Sequence, residues 1–167
     1  GGHCIGVDPY YLIHKAQNVG YIPDLICQAR KINNSMGSDF AGRIIKTMAV
    51  KGNRVAGARV LILGVTFKEN CGDTRNTKVL TLAAALQEWG VIVEIVDPMT
   101  DADEFSAKHG WALTDRPSGR YGGVILAVPH ECFVKGGAAS IREYLDEGGV
   151  FFDLKCIFDP QDSDLRP

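Results

Sequence analysis

Apolar positions along this chain follow two different spacings. From Pro23 to about Lys51, Leu25, Ile26, Ala29, Ile32, Met36, Phe40, Ile44, Ile45 and Met48 recur at steps of three and four. That spacing predicts an amphipathic helix. At nearly thirty residues it is longer than an ordinary globular helix, which suits a connector or a dimer interface. Gly37 is a candidate bend, and two helices broken between Ser35 and Ser38 are the alternative. Past a linker at 52–57, short strand-like stretches take over: Val91–Val96 and Val150–Leu154, each holding one carboxylate (Glu94, Asp153), and the unbroken apolar runs Val60–Leu63 and Val124–Val128. Runs of this kind predict strands buried on both faces. Helical patterns lie between them, from Val79 through Leu86, from Asp101 to Lys108 and from Ala138 to Leu145, with a weakly extended stretch from Gly110 to Asp115. Alternating strand and helix predicts an α/β fold in which a long connecting helix precedes a doubly wound parallel sheet. The expected division is a helical segment at 1–51 and an α/β domain at 58–167.

Two polar stretches interrupt this pattern. At the start, Gly1, Gly2 and Gly6 imply a tight loop able to approach a ligand closely. Asp8 and Pro9 then read as the N-cap and first residue of a helix running to about Asn18, with Gly20 ending it. Cys4 would stand just ahead of that helix start, where positive potential favours thiolate, which makes it a candidate nucleophile. The second stretch follows Gly64, where Thr66, Lys68, Glu69, Asn70, Asp73, Thr74 and Arg75 come in quick succession before Asn76 or Thr77 caps a helix. In open α/β sheets, ligands occupy the crevice beyond the carboxyl ends of the strands. Lys68, Arg75 and Lys155 all leave strands at that end, so three cations and a helix N-terminus are expected to face one crevice and to suit phosphate. Solvated loop cations are the competing reading. Neither G-x-G-x-x-G nor G-x-x-x-x-G-K-[ST] occurs here.

Composition narrows the classes. The 167 residues are 46% hydrophobic with a net charge of −2, enough to bury a core and without a basic block. A nucleic-acid surface is therefore not expected, and no apolar run approaches the ~20 residues that cross a bilayer. Five scattered cysteines (Cys4, Cys27, Cys71, Cys132, Cys156) lack C-x-x-C pairing and fit a reducing, cytoplasmic setting. His3, His14, His109 and His130 are too dispersed to support a metal-using hydrolase. His3, next to Cys4, is poorly placed to act as its base, because adjacent side chains diverge. The chain opens on Gly-Gly without Met, inside its first motif, as a piece of a longer protein would.

The motifs GGHCIGVDPYYL and GVTFKENCGDTRNTK, in that order around a long helix and followed by VDP, resemble the UDP-glucose/GDP-mannose dehydrogenase family, and most closely its bacterial UDP-N-acetylhexosamine branch. The resemblance spans essentially the whole chain and implies a Rossmann-like sheet. It also implies oxidation of C6 of a UDP-sugar to a carboxylate with NAD as cofactor, in the synthesis of surface polysaccharides. On this basis Cys4 is the expected nucleophile, trapping the aldehyde as a thiohemiacetal that becomes a thioester. Asp8 is the expected catalytic carboxylate. Gly1, Gly2, Phe67, Lys68 and Lys155 would contact the UDP-sugar, Arg75 would reach the NAD pyrophosphate, and the long helix would join a homodimer. The family's N-terminal dinucleotide domain, and the catalytic lysine, glutamate and threonine that precede the cysteine motif, have no counterpart in the sequence, so the isolated chain is expected to be inactive. Val7 stands where some UDP-glucose members carry lysine. A non-catalytic, dimerising nucleotide-sugar module is the alternative, and Cys4 with Asp8 distinguishes the two.

Overall fold

The structure, a computed structural model, describes residues 3–167. Two helices lead: α1 (His3–Asn18) and α2 (Asp24–Val50). An alternating unit follows, with β1 (Arg59–Leu63), α3 (Val79–Glu88), β2 (Ile92–Val96), α4 (Ala102–His109), β3 (Tyr121–Leu126), α5 (Glu131–Val134), α6 (Gly137–Arg142) and β4 (Leu145–Asp153). The four strands pair in parallel in the order β2-β1-β3-β4. This is the expected α/β architecture, a long helix followed by a doubly wound, Rossmann-like sheet.

Alternation along each strand divides the core into two faces. Val60, Ile62, Ile95, Ile125, Val150 and Phe152 meet Ala41, Ile44, Ile45 and Met48 of α2 and Leu82, Ala83, Ala85 and Leu86 of α3. Leu61, Leu63, Val96, Val124, Leu126 and Phe151 turn to the other face, against Ile141, Phe133 and Tyr144. The unbroken runs Val60–Leu63 and Val124–Leu126 thus reflect strands covered on both sides, whereas β2 at the sheet edge leaves Ile92 exposed. The tail is tied back to β4, where Asp164 accepts from the Phe151 N–H at 2.8 Å and from Lys51 Nζ at 2.5 Å.

Three local expectations are corrected. First, α2 does not break between Ser35 and Ser38. Gly37 is buried where α2 crosses α3, and a Cβ there would lie 2.9 Å from Thr81 Cγ2 and 3.0 Å from the Leu82 nitrogen. Glycine therefore permits close helix packing and leaves the helix continuous. Second, α1 starts at His3, so Asp8 is no N-cap and Pro9 lies inside the helix. Proline at position 9 cannot donate to the Ile5 carbonyl four residues back, and Arg30 Nη1 donates to that oxygen instead at 3.4 Å. Third, the C-terminal helix is shorter than its pattern, ending at Arg142, and β4 begins at Leu145 rather than Val150.

Candidate functional site

The sheet order reverses direction between β1 and β3, which leaves a crevice at their carboxyl ends. Gly64 sets its floor. Its φ is +86°, and a Cβ would approach Val128 Cβ to 2.5 Å and the Val128 oxygen to 2.6 Å, so only glycine lets these two strand exits touch. Above them opens a cleft of about 490 Å³, lined by Thr66, Phe67, Lys68 and Glu69 after β1, by Ala127 and Val128 after β3, and by Lys155 after β4. The start of α3 (Asn76–Val79), Arg30 and Asn33 of α2, and His3, Ile5, Gly6 and Val7 of α1 close the rest. The volume falls in the range of small-molecule sites.

Lys68 and Lys155 are brought together here as the sequence suggested. Among the described residues neither ammonium group has a hydrogen bond or an ion pair. Arg75 departs from the expectation of three cations on one crevice. It lies outside the cleft lining, and Asp73 engages it from Nε and Nη2 at 3.0 and 2.7 Å. That guanidinium, together with the Arg75 N–H, holds the Asp73 carboxyl well below the usual carboxylate range. Asp73 also meets His3 Nε2 at 2.7 Å, and His3 stacks on Phe67 with ring centroids 4.1 Å apart, covering one face of that ring. No side chain caps α3 from Asn76, whereas Thr77 Oγ1 accepts from the Val79 N–H at 3.2 Å.

Cys4 and Asp8, one helical turn apart on α1, are both exposed and share a neighbouring apolar hollow with Ile5, Pro9, Leu12 and Ile26. The candidate nucleophile thus sits within a helix, not in a loop ahead of one, and opens onto a different hollow from the two lysines. Gly1 and Gly2 lie outside the described residues.

Sequence reasoning missed three contributors. Arg30 is buried, lines the cleft, and bonds Asn33 Oδ1 at 3.1 Å as well as the Ile5 carbonyl, while its Nε has no partner among the described residues. It also lies 5.5 Å over the Tyr10 ring. Asp97 and His130 form a buried pair beneath the cleft, Nε2 to Oδ2 at 3.0 Å. Burial works to raise the Asp97 pKa, yet hydrogen bonds from His130 and from the N–H groups of Val65 and Met99 outweigh it and leave the value lowered. Asp97 directly follows β2 and His130 comes four residues after β3, a signal that was present in VDP and VPH.

Comparison with known proteins agrees with this architecture. Residues 61–160 match the UDP-glucose/GDP-mannose dehydrogenase family, UDP binding domain, and residues 1–35 match the same family's central domain. The chain belongs to the UDP-glucose/GDP-mannose dehydrogenase family. It is 46% identical over 167 residues to a UDP-N-acetyl-D-glucosamine 6-dehydrogenase of Pseudomonas aeruginosa, covering 99% of this chain and 40% of that protein. A Salmonella typhi protein of the same name is 42% identical over 99% of this chain and 39% of its own length. The chain therefore spans about two fifths of the relatives that it matches. Among solved structures, an NDP-N-acetyl-D-galactosaminuronic acid dehydrogenase from Methanosarcina mazei superposes with a TM-score of 0.81 at 20% identity, over 97% of this chain and 35% of that one. A UDP-D-ManNAc dehydrogenase from Pyrococcus horikoshii gives 0.76 at 23%, over 99% and 38%. Both show likeness of fold.

Proposed function

We propose that this chain supplies the nucleotide-sugar cleft and the catalytic cysteine of an NAD-dependent dehydrogenase that oxidises C6 of a UDP-N-acetylhexosamine to the uronic acid, in the cytoplasm, for a surface polysaccharide. The observation that carries the proposal is the pair of lysines, Lys68 and Lys155, without partners among the described residues, at the strand ends of a cleft floored by Gly64 and Val128. Two ammonium groups facing one crevice beside a helix start suit a diphosphate. Residues 1–51 act as the helical, dimerising segment and 58–167 as the nucleotide-sugar domain. Gly1 and Gly2 would flank the sugar.

For the chemistry, the Cys4 thiolate adds to the C6 aldehyde and forms a thiohemiacetal. Oxidation of that adduct leaves a thioester, and water hydrolyses it to the carboxylate and free thiol. Asp8, one turn away on the same helix, would take a proton from that water. NAD⁺ supplies hydride acceptance in both oxidations. Arg75 fits the cofactor as one anion contact, because its side chain is 66% exposed and Asp73 leaves Nη1 open. The β1–α3 turn adds no dinucleotide fingerprint, so this chain by itself is expected to turn nothing over.

Titration calorimetry with UDP, UDP-N-acetylglucosamine and NAD⁺ tests this reading. UDP should bind more tightly than NAD⁺, and Lys68→Ala should weaken UDP by roughly 1.5–3 kcal/mol, the worth of a charged hydrogen bond. Tighter NAD⁺ binding, or a Lys68→Ala affinity equal to wild type, would overturn it. A second reading, a nucleotide-sugar module without catalysis, draws support from the separate hollow that Cys4 occupies. Cys4→Ser in a protein of full family length separates the two, because acid production should cease while nucleotide binding persists.

A further inference from the structure

His130 belongs to neither the cysteine motif nor the lysine motif, and its side chain is wholly buried. Above it runs a strap of five residues, Thr66–Asn70, whose middle three, Phe67, Lys68 and Glu69, line the cleft. Both ends of the strap close on this one imidazole. The Asn70 N–H donates to Nδ1 at 2.9 Å, and Thr66 Oγ1 lies 3.2 Å from Nε2. Because Nδ1 receives an N–H, the ring proton sits on Nε2, shared between Thr66 Oγ1 and Asp97 Oδ2 at 3.0 Å. The Thr66 hydroxyl then donates to the Lys68 carbonyl at 3.1 Å. Asn70, held at φ +54°, accepts on Oδ1 from the Glu131 N–H at 2.9 Å. One further backbone bond, Phe67 N–H to the Asp73 oxygen at 2.7 Å, completes the attachment.

We propose that His130 is a positioning residue of the cleft: its two ring nitrogens lock the Thr66–Asn70 strap and so fix the backbone from which Lys68 meets an anionic ligand. The proposal rests on the nucleotide reading of the cleft. A short loop carrying a charged side chain loses conformational freedom when a ligand engages it, and a loop ordered beforehand loses less. Asp97 sets the ring's orientation. It accepts on Oδ2 from the Val65 N–H at 2.6 Å and the Thr66 N–H at 3.1 Å, so ring and strap share one anchor.

Two substitutions divide the ring's bonds. His130→Asn keeps an acceptor where Nδ1 stands and removes the Nε2 donor; His130→Gln does the reverse. Melting temperature, amide exchange across residues 66–70 and UDP affinity by calorimetry would be measured for both and for wild type. His130→Gln should speed exchange at Asn70 at least about tenfold and weaken UDP about tenfold. His130→Asn, which loses only the Nε2 tie, should melt lower, having unpaired Asp97, yet hold Asn70 exchange near wild type and weaken UDP only about threefold. A purely structural role would make affinity follow melting temperature in both variants, and that result overturns the proposal, as does wild-type exchange at Asn70 in His130→Gln. Thr66→Val, which spares the Asp97 pair, tests the same strap if His130→Gln does not fold, and unchanged UDP affinity in it also overturns the proposal. Should wild type fail to bind UDP, the nucleotide reading falls and the exchange rates alone decide whether His130 holds the strap.

Discussion

The two halves of α2 live in different surroundings. From Ala41 to Met48 its apolar residues are sealed against the sheet, with Ile44 and Met48 fully buried. From Leu25 to Ile32 the same spacing continues into solvent, leaving Leu25 84% and Ile32 62% exposed. The neighbouring α1 has no buried residue, and Ile5, Tyr11 and Leu12 stand on its exposed surface. One helical period thus serves two ends. Identical spacing yields a core where a sheet lies opposite and an open apolar face where nothing in this chain does. The first half is held by area removed from water, whereas the second rests on a few polar ties: Arg30 to Ile5, Asn34 to Tyr10 and His3 to Asp73. The dimerising role proposed for residues 1–51 would cover this open face with a second copy of the chain.

Substitutions can break this contrast. Phe152→Ala, in the sheet core beneath α2, should cost about 3–5 kcal/mol in denaturant unfolding; a loss under 1 kcal/mol would mean that the sheet face is not the core described. Acid should act next. The folded pKa values of Asp97 and Asp164 are both lowered: burial opposes this, but His130 and backbone N–H groups outweigh it at Asp97, and Lys51, the Phe151 N–H and Arg142 do so at Asp164. Because both folded values lie below the unfolded one of about 3.9, their contribution is complete above that pH and is lost as pH falls through the folded values. Melting temperature should therefore decline steeply below about pH 4, and a protein most stable at pH 3 would contradict the network. Gly37→Ala, at the α2–α3 crossing, should cost about 1–3 kcal/mol through overpacking, read as a shift in denaturant midpoint. On the open face, Leu25→Glu should change stability by less than about 0.5 kcal/mol and yet reduce the sedimenting mass; an unchanged mass would remove the second copy from that face.

How legible these features were in the sequence depended on what closed them. The strands Val60–Leu63 and Val124–Leu126 announced themselves because burial on both faces leaves no polar position to confuse the run. Lys68 and Lys155 were legible as cations just past such runs. The course of α1 was not, since Gly6, Asp8 and Pro9 read locally as loop and cap, and the bond that compensates for Pro9 comes from Arg30, twenty-five residues from the Ile5 carbonyl that it reaches. Arg75 misled for a related reason, because its partner Asp73 is an ordinary loop residue until the turn brings the two together. Asp97 and His130 stood in plain view, one after each of two strands, but only strand order makes neighbours of residues thirty-three apart.

The contact between Gly64 and Val128 bears on how this cleft could be retuned. With no room for a methyl group between the exits of β1 and β3, the floor is backbone against side chain at a spacing that no substitution at position 64 can relax. An engineer seeking a wider or narrower pocket would have to work from the walls: the strap bearing Lys68, the turn bearing Lys155, and the α1 surface at Ile5 and Val7. Of these, α1 is the least anchored to the rest of the chain, so changes of specificity should be cheapest there.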